Sequence, residues 1–217
     1  MKFSEKLHTG VEDLWREAAG KPFVREMALG TLAEKRFRNY MIQDYLYLLD
    51  YIEILSFIRS QTGDEDLRRF LLAVINETEN ETYRVHLPHM KKIGVSDEEI
   101  AGAERLQVIS EYTEYMREQV REHGFLAGLT ALLQCSWLYA YIGEKMTAEC
   151  SEEIAASPFR FWFDAYTGKE YIEANQMWID TLDRETEVIT GDTAMLLKNI
   201  FRTCAEYENK LWDDLYE

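Results

Sequence analysis

The chain has 217 residues, 47% of them hydrophobic, and sets 40 acidic side chains against 24 basic ones for a formal net charge of −16. That length can bury a substantial core, and the charge has the wrong sign for phosphate backbones or anionic lipid, which argues against nucleic-acid or membrane partners. Cys135, Cys150 and Cys204 stand at no framework spacing, and Met1 to Lys6 carry charge where a signal peptide needs its apolar run, so a reducing cytoplasm is expected.

Along the chain, Gly20 with Pro22, then Gly30, Gly63, Gly94, Gly124, Gly168 and Gly191 fall between helical patterns, where Gly or Pro commonly ends a helix. Ser96 followed by Glu99 reads as a capping box, and Asp64, Ser151 and Asp192 read as N-caps. Helices are predicted over 4–18, 33–60, 65–87, 97–122, 125–149, 169–189 and 193–215, with shorter turns near 22–29 and 157–165. No segment alternates with period two between turn signals, so no strand is predicted. The expected class is all-α, an irregular bundle of about seven main helices, and the absence of linkers and repeats predicts a single domain over 1–217.

Two of these helices carry a carboxylate in the apolar seam. Phe37, Met41, Asp44, Leu48, Tyr51, Leu55 and Ile58 recur at steps of four and three, as do Leu197, Phe201, Cys204, Glu208, Leu211 and Leu215. An ionised carboxylate on such a face is costly unless paired or hydrogen-bonded, and a polar pocket inside the bundle gives it a reason. The stretch from Phe125 to Ile142 has no charged residue and nears the lower length limit of a membrane span. It also holds Thr130, Gln134, Cys135, Ser136, Tyr139 and Tyr141, which suits a central helix wrapped by others. Cys135 and Tyr139 share a face there. Thirteen tyrosines and five tryptophans supply partners for buried polar groups, with Tyr47 near Asp44, Tyr112 and Tyr115 on one helix face, and Tyr166 before Gly168.

Blander readings stand beside this one. A Cys in an apolar helix is often an inert small hydrophobe, and a tyrosine stripe is often core. Di-iron bundles need two Glu-x-x-His pairs, and the sequence holds one, Glu5 with His8. His86 and His89 flank Pro88, which disfavours a continued helix, so they read as a solvated helix end. His8 is the one candidate haem ligand, with nothing else in support. Three functions therefore stay open at this level: an enzyme, a non-catalytic binder of a small aromatic ligand, and a haem or metal oxidoreductase.

The run Pro22-Phe23-Val24, Gly30-Thr31-Leu32 and Tyr40-Met41-Ile42-Gln43-Asp44-Tyr45-Leu46-Tyr47-Leu48 resembles the N-terminal signature of the TenA-type thiaminase II proteins. The resemblance continues through Glu77, Glu81 and His86, Tyr112 with Tyr115, and Gln134-Cys135-Ser136-Trp137-Leu138-Tyr139. It ends with Phe161 to Tyr166 and with Tyr207-Glu208 followed by Trp212. The central cysteine is similar to that of the Cys-containing branch, while Leu211 stands where that pattern has Phe.

The resemblance implies a haem-oxygenase-like all-α fold, a homotetramer, no metal and no cofactor. It implies an aminopyrimidine aminohydrolase of thiamin salvage, which converts 4-amino-5-aminomethyl-2-methylpyrimidine to the hydroxymethyl pyrimidine and ammonia and cleaves thiamin more slowly. By the same resemblance Cys135 is the nucleophile and Glu208 the acid–base group. Asp44 anchors the pyrimidine amino edge, and Tyr47, Tyr112, Tyr139 and Tyr166 line the pocket.

Overall fold

The computed structural model describes residues 1–217 and contains helices and no strand. Seven helices are long: α1 (Phe3–Gly20), α3 (Glu34–Gln61), α4 (Glu65–Asn80), α7 (Gln107–His123), α8 (Phe125–Glu149), α11 (Lys169–Glu185) and α12 (Gly191–Tyr216). Five are short: α2 (Pro22–Ala28), α5 (Leu87–Lys92), α6 (Asp97–Gly102), α9 (Ser151–Ala156) and α10 (Arg160–Tyr166). The all-α class and the seven main helices are as the periodicity predicts. The chain divides into two compact units, one of Met1–Leu32 with Leu129–Glu217 and the other of Ala33–Gly128.

In the first unit, α1 and α12 lie side by side, each turning its apolar stripe inward. Leu7, Val11 and Trp15 are buried on one, and Leu197, Phe201, Cys204, Glu208, Leu211 and Leu215 on the other. The amide of Asn209 ties the two together by donating to the carbonyl of Leu14 at 3.0 Å. The first turn of α1 has no side-chain N-cap of its own. Asp183 at the end of α11 serves instead, accepting from the backbone N–H and the hydroxyl of Ser4, both at 2.8 Å. Behind α2 the chain turns at Gly30, whose φ of +71° disfavours any side chain and where a Cβ would stand a tight 3.3 Å from Ser157 and Pro158. The residues of α8 from Leu129 onward run through this unit. By length and composition α8 is apolar enough to cross a membrane, but 72% of its most apolar window is buried in the protein, as expected of a core helix.

In the second unit, α3 packs on α4 and α7. Asp64 caps α4, accepting from the N–H groups of Asp66 and Leu67, and Ser96 with Glu99 forms the predicted capping box on α6. Asp50, buried on α3, accepts from Arg117 of α7 at 2.9 Å and from Arg105, in the segment before α7, at 2.8 Å. Gly128, at the start of α8, lets Val120 and Ile58 approach so closely that a Cβ would sit 2.5 Å from one and 2.7 Å from the other.

Four boundaries differ from expectation, each for a physical reason. The helix predicted over 65–87 continues to Lys92, passing through a π turn at Glu81–His86 in which the N–H of Leu87 reaches the carbonyl of Thr82. A widened turn directly before Pro88 relieves the clash that a proline ring makes inside a regular helix. The helix predicted over 97–122 is broken between Gly102 and Gln107. The buried side chain of Gln43 donates to the carbonyl of Glu104 and accepts from the N–H of Leu106, both at 2.9 Å, and holds that backbone extended. Ser151 and Asp192 are not N-caps, because their helices begin earlier. Cys150 takes that position on α9, and on α12 the hydroxyl of Thr190 accepts from the N–H of Thr193.

Candidate active site

The second unit holds Asp44, Tyr47 and Tyr112. Asp44 lies on the buried face of α3, one turn after Tyr40, whose hydroxyl is 3.5 Å from Oδ2. The same oxygen is 2.8 Å from Nε2 of His86, and each of these side chains is 9% exposed. Both contacts use Oδ2. Burial is the largest influence on His86 and works to lower its pKa, but the close contact and charge of Asp44, with the charge of Glu81, outweigh it and raise the pKa above its usual value. Burial raises the pKa of Glu81 and the charge of Asp44 adds to that, against the opposing pull of His86. Asp44, Glu81 and His86 thus form one charge-coupled cluster.

His86 is therefore no solvated helix end. The π turn buries it together with Thr82, while His89 is only half-buried and has its pKa lowered by burial and by the charges of Lys92 and His86. Thr78, Thr82, His86 and Met90 recur at steps of four, and all are buried. One turn beyond Asp44 on α3, Tyr47 stacks on Tyr112, with ring centroids 5.9 Å apart and planes 23° from parallel. Tyr112 is held there because Asp50 and Thr113 join α3 to α7 one position along, the hydroxyl of Thr113 donating to Asp50 at 3.4 Å.

The first unit holds Cys135, Tyr139, Tyr166 and Glu208. Tyr139 is the centre of an aromatic box, its ring centroid 5.0 Å from Tyr166, 5.8 Å from Trp162 and 5.6 Å from Trp212. Cys135 precedes Tyr139 by one turn of α8 and is buried at 8% exposure. Glu208 precedes Trp212 by one turn of α12 and is 1% exposed. The nucleophile and acid–base candidates thus each sit one turn from a ring of the same box. Two hydrogen bonds brace α11 against α8: the hydroxyl of Ser136 donates to Asn175 at 2.8 Å, and that of Tyr171 to the carbonyl of Ser136 at 3.0 Å. Trp162 belongs to this box without having been singled out by periodicity. Leu211 is buried beside Trp212.

Chemically, a buried thiol with a buried carboxylic acid suits addition to an activated aromatic ring. A carboxylate held by a histidine suits an N–H donor, and stacked tyrosines suit a flat heterocycle.

The chain is similar to known proteins along its whole length. An aminopyrimidine aminohydrolase of Halalkalibacterium halodurans is 28% identical over 217 residues, covering 100% of this chain and 96% of the relative. One of Helicobacter pylori is 27% identical and covers 100% of both. Among solved structures, a TenA homologue protein from P. horikoshii OT3 has a TM-score of 0.91 at 25% identity, covering 100% of this chain and 99% of the other. A domain of unknown function with a heme oxygenase-like fold from Shewanella denitrificans OS217 has a TM-score of 0.78 at 15% identity, covering 98% and 91%, a likeness of fold alone. The model of the TENA/THI-4/PQQC family matches residues 8–217, and the chain belongs to that family.

Proposed function

We propose that the protein is an aminopyrimidine aminohydrolase of thiamin salvage, hydrolysing 4-amino-5-aminomethyl-2-methylpyrimidine to the hydroxymethyl pyrimidine and ammonia through a covalent adduct with Cys135. The observation that carries this reading is the burial of Cys135 and Glu208, each one turn from the Tyr139–Tyr166–Trp162–Trp212 box. Full-length similarity to aminopyrimidine aminohydrolases supports the reaction class. The family match takes in both compact units, which supports reading 1–217 as a single domain.

In this reading the amino edge of the ring donates to Asp44, and the ring stacks on tyrosine. Glu208 shares a proton with N1, which makes the adjacent ring carbon electrophilic. The Cys135 thiolate forms a bond to that carbon, and the ring electrons flow out to break the bond from the exocyclic methylene to nitrogen. The thiol proton leaves with the departing ammonia. Water then adds to the exocyclic alkene, its oxygen bonding the methylene carbon, and the thiolate departs as aromaticity returns. Covalent catalysis of this kind replaces one hard displacement by easier steps.

The test is ammonia release from the aminomethyl pyrimidine, with thiamin alongside, by wild type and Cys135→Ser. Turnover by wild type alone is the expected result. Absence of turnover on both substrates, with a rise in melting temperature on adding the pyrimidine, would overturn the enzyme in favour of a pyrimidine-binding protein.

A further inference from the structure

The inner face of α4 and the π turn runs through Leu71, Ile75, Thr78, Thr82, His86 and Met90, all buried. A regular α-helix has 3.6 residues per turn, so each step of four carries a residue about 40° further round. Three such steps in a row, Thr78 to Met90, would swing His86 and Met90 off the face. The π turn at Glu81–His86 has more residues per turn and cancels the drift. Thr82 closes the widened turn by donating its hydroxyl to the carbonyl of Thr78 at 2.7 Å. The irregularity is what aims the imidazole of His86 at α3.

There it meets one oxygen of Asp44 and leaves the other. His86 and Tyr40 both contact Oδ2, and neither contact uses Oδ1. A carboxylate rotates easily about its last torsion. A short charge-assisted contact to one oxygen stops that rotation and offsets the cost of keeping the anion 9% exposed before any ligand arrives.

We propose that His86 is a positioning residue for ligand recognition: by gripping Oδ2 of Asp44 it presents Oδ1 as a fixed acceptor for the amino group of an aminopyrimidine. The proposal rests on the reading of Asp44 given above. A ligand then finds its acceptor already oriented, and binding needs no further ordering of the carboxylate. A ligand without the amino group leaves a buried charged acceptor unmet, and discrimination follows from that cost.

The experiment is calorimetric binding of 4-amino-5-hydroxymethyl-2-methylpyrimidine and of the same pyrimidine lacking the 4-amino group, to the full chain as wild type, His86→Leu and His86→Gln. Wild type should prefer the amino ligand by about tenfold to hundredfold, the range for a hydrogen bond to a charged group. His86→Leu should reduce that ratio at least tenfold, through the amino ligand, with affinity for the des-amino ligand little changed. His86→Gln, whose amide is a neutral donor, should recover part of the ratio but stay severalfold below wild type. A histidine that only struts the π turn against α3 would weaken both ligands alike and leave the ratio unchanged, which overturns the proposal. Should His86→Leu fail to fold, an unchanged ratio in His86→Gln does the same. Lack of preference in wild type itself would overturn the role of Asp44 as acceptor and the proposal with it, and is distinct from loss restricted to His86.

Discussion

Nε2 of His86 lies 2.8 Å from Oδ2 of Asp44 across two helical segments, with each side chain 9% exposed. A pair so buried is strongly felt when one partner changes, because the survivor is left without its counter-charge.

Its pH dependence has a definite sign. The folded pKa of His86 is raised, so the native state binds more protons than the unfolded chain, and stability falls as pH rises. The contribution is full below the unfolded value of about 6.5 and is lost as pH climbs through the raised folded value. Glu81, also raised, works in the same direction from about pH 4.5 upward. Melting temperatures of wild type and His86→Gln across about pH 6 to 9 should converge as pH rises. A gap that widens with pH would contradict the raised value.

Cys135→Ser is expected to keep its fold and ligand binding while losing turnover by about two orders of magnitude or more, since a hydroxyl is a far weaker nucleophile near neutral pH. Glu208→Gln should lose a comparable factor. Steady-state rates paired with melting curves check both, and near-wild-type turnover by Cys135→Ser would exclude covalent catalysis at that position.

Asp44→Asn presents an amide to both His86 and the ligand. It should raise KM by about tenfold, with a smaller change in kcat, because the lost interaction is made in the bound ground state as well as in the transition state. A fall in kcat at constant KM would instead place Asp44 in the chemistry itself.

Gly128→Ala drives a methyl group to 2.5 Å from Val120 and 2.7 Å from Ile58. Overpacking should outweigh the better helix propensity of alanine, at a net cost of about 1–3 kcal/mol. Chemical denaturation of the two proteins measures the difference, and a more stable variant would mean that these side chains yield without strain.

Much of this was legible from periodicity. Phe37, Met41, Asp44, Tyr51, Leu55 and Ile58 are buried as the α3 seam predicts, and every seam residue of α12 is buried, Glu208 included. Only Leu48 is half-exposed, and Tyr47 beside it is buried instead. His86 was not legible in the same way. The proline after it read as a stop, whereas a π turn carries the helix through. The break before Gln107 was hidden too, because it depends on Gln43, more than sixty residues earlier.

By itself the sequence determined the all-α class, the seven long helices and which faces are buried, because a helix's apolar stripe is a local repeat that one chain segment displays alone. Only the tertiary structure decided that His86 grips one oxygen of Asp44, that Asp50 gathers two arginines, and that Tyr139 meets Tyr166, Trp162 and Trp212. Those are contacts between segments distant in the chain, set by how helices pack and where a turn widens, and no local spacing encodes them.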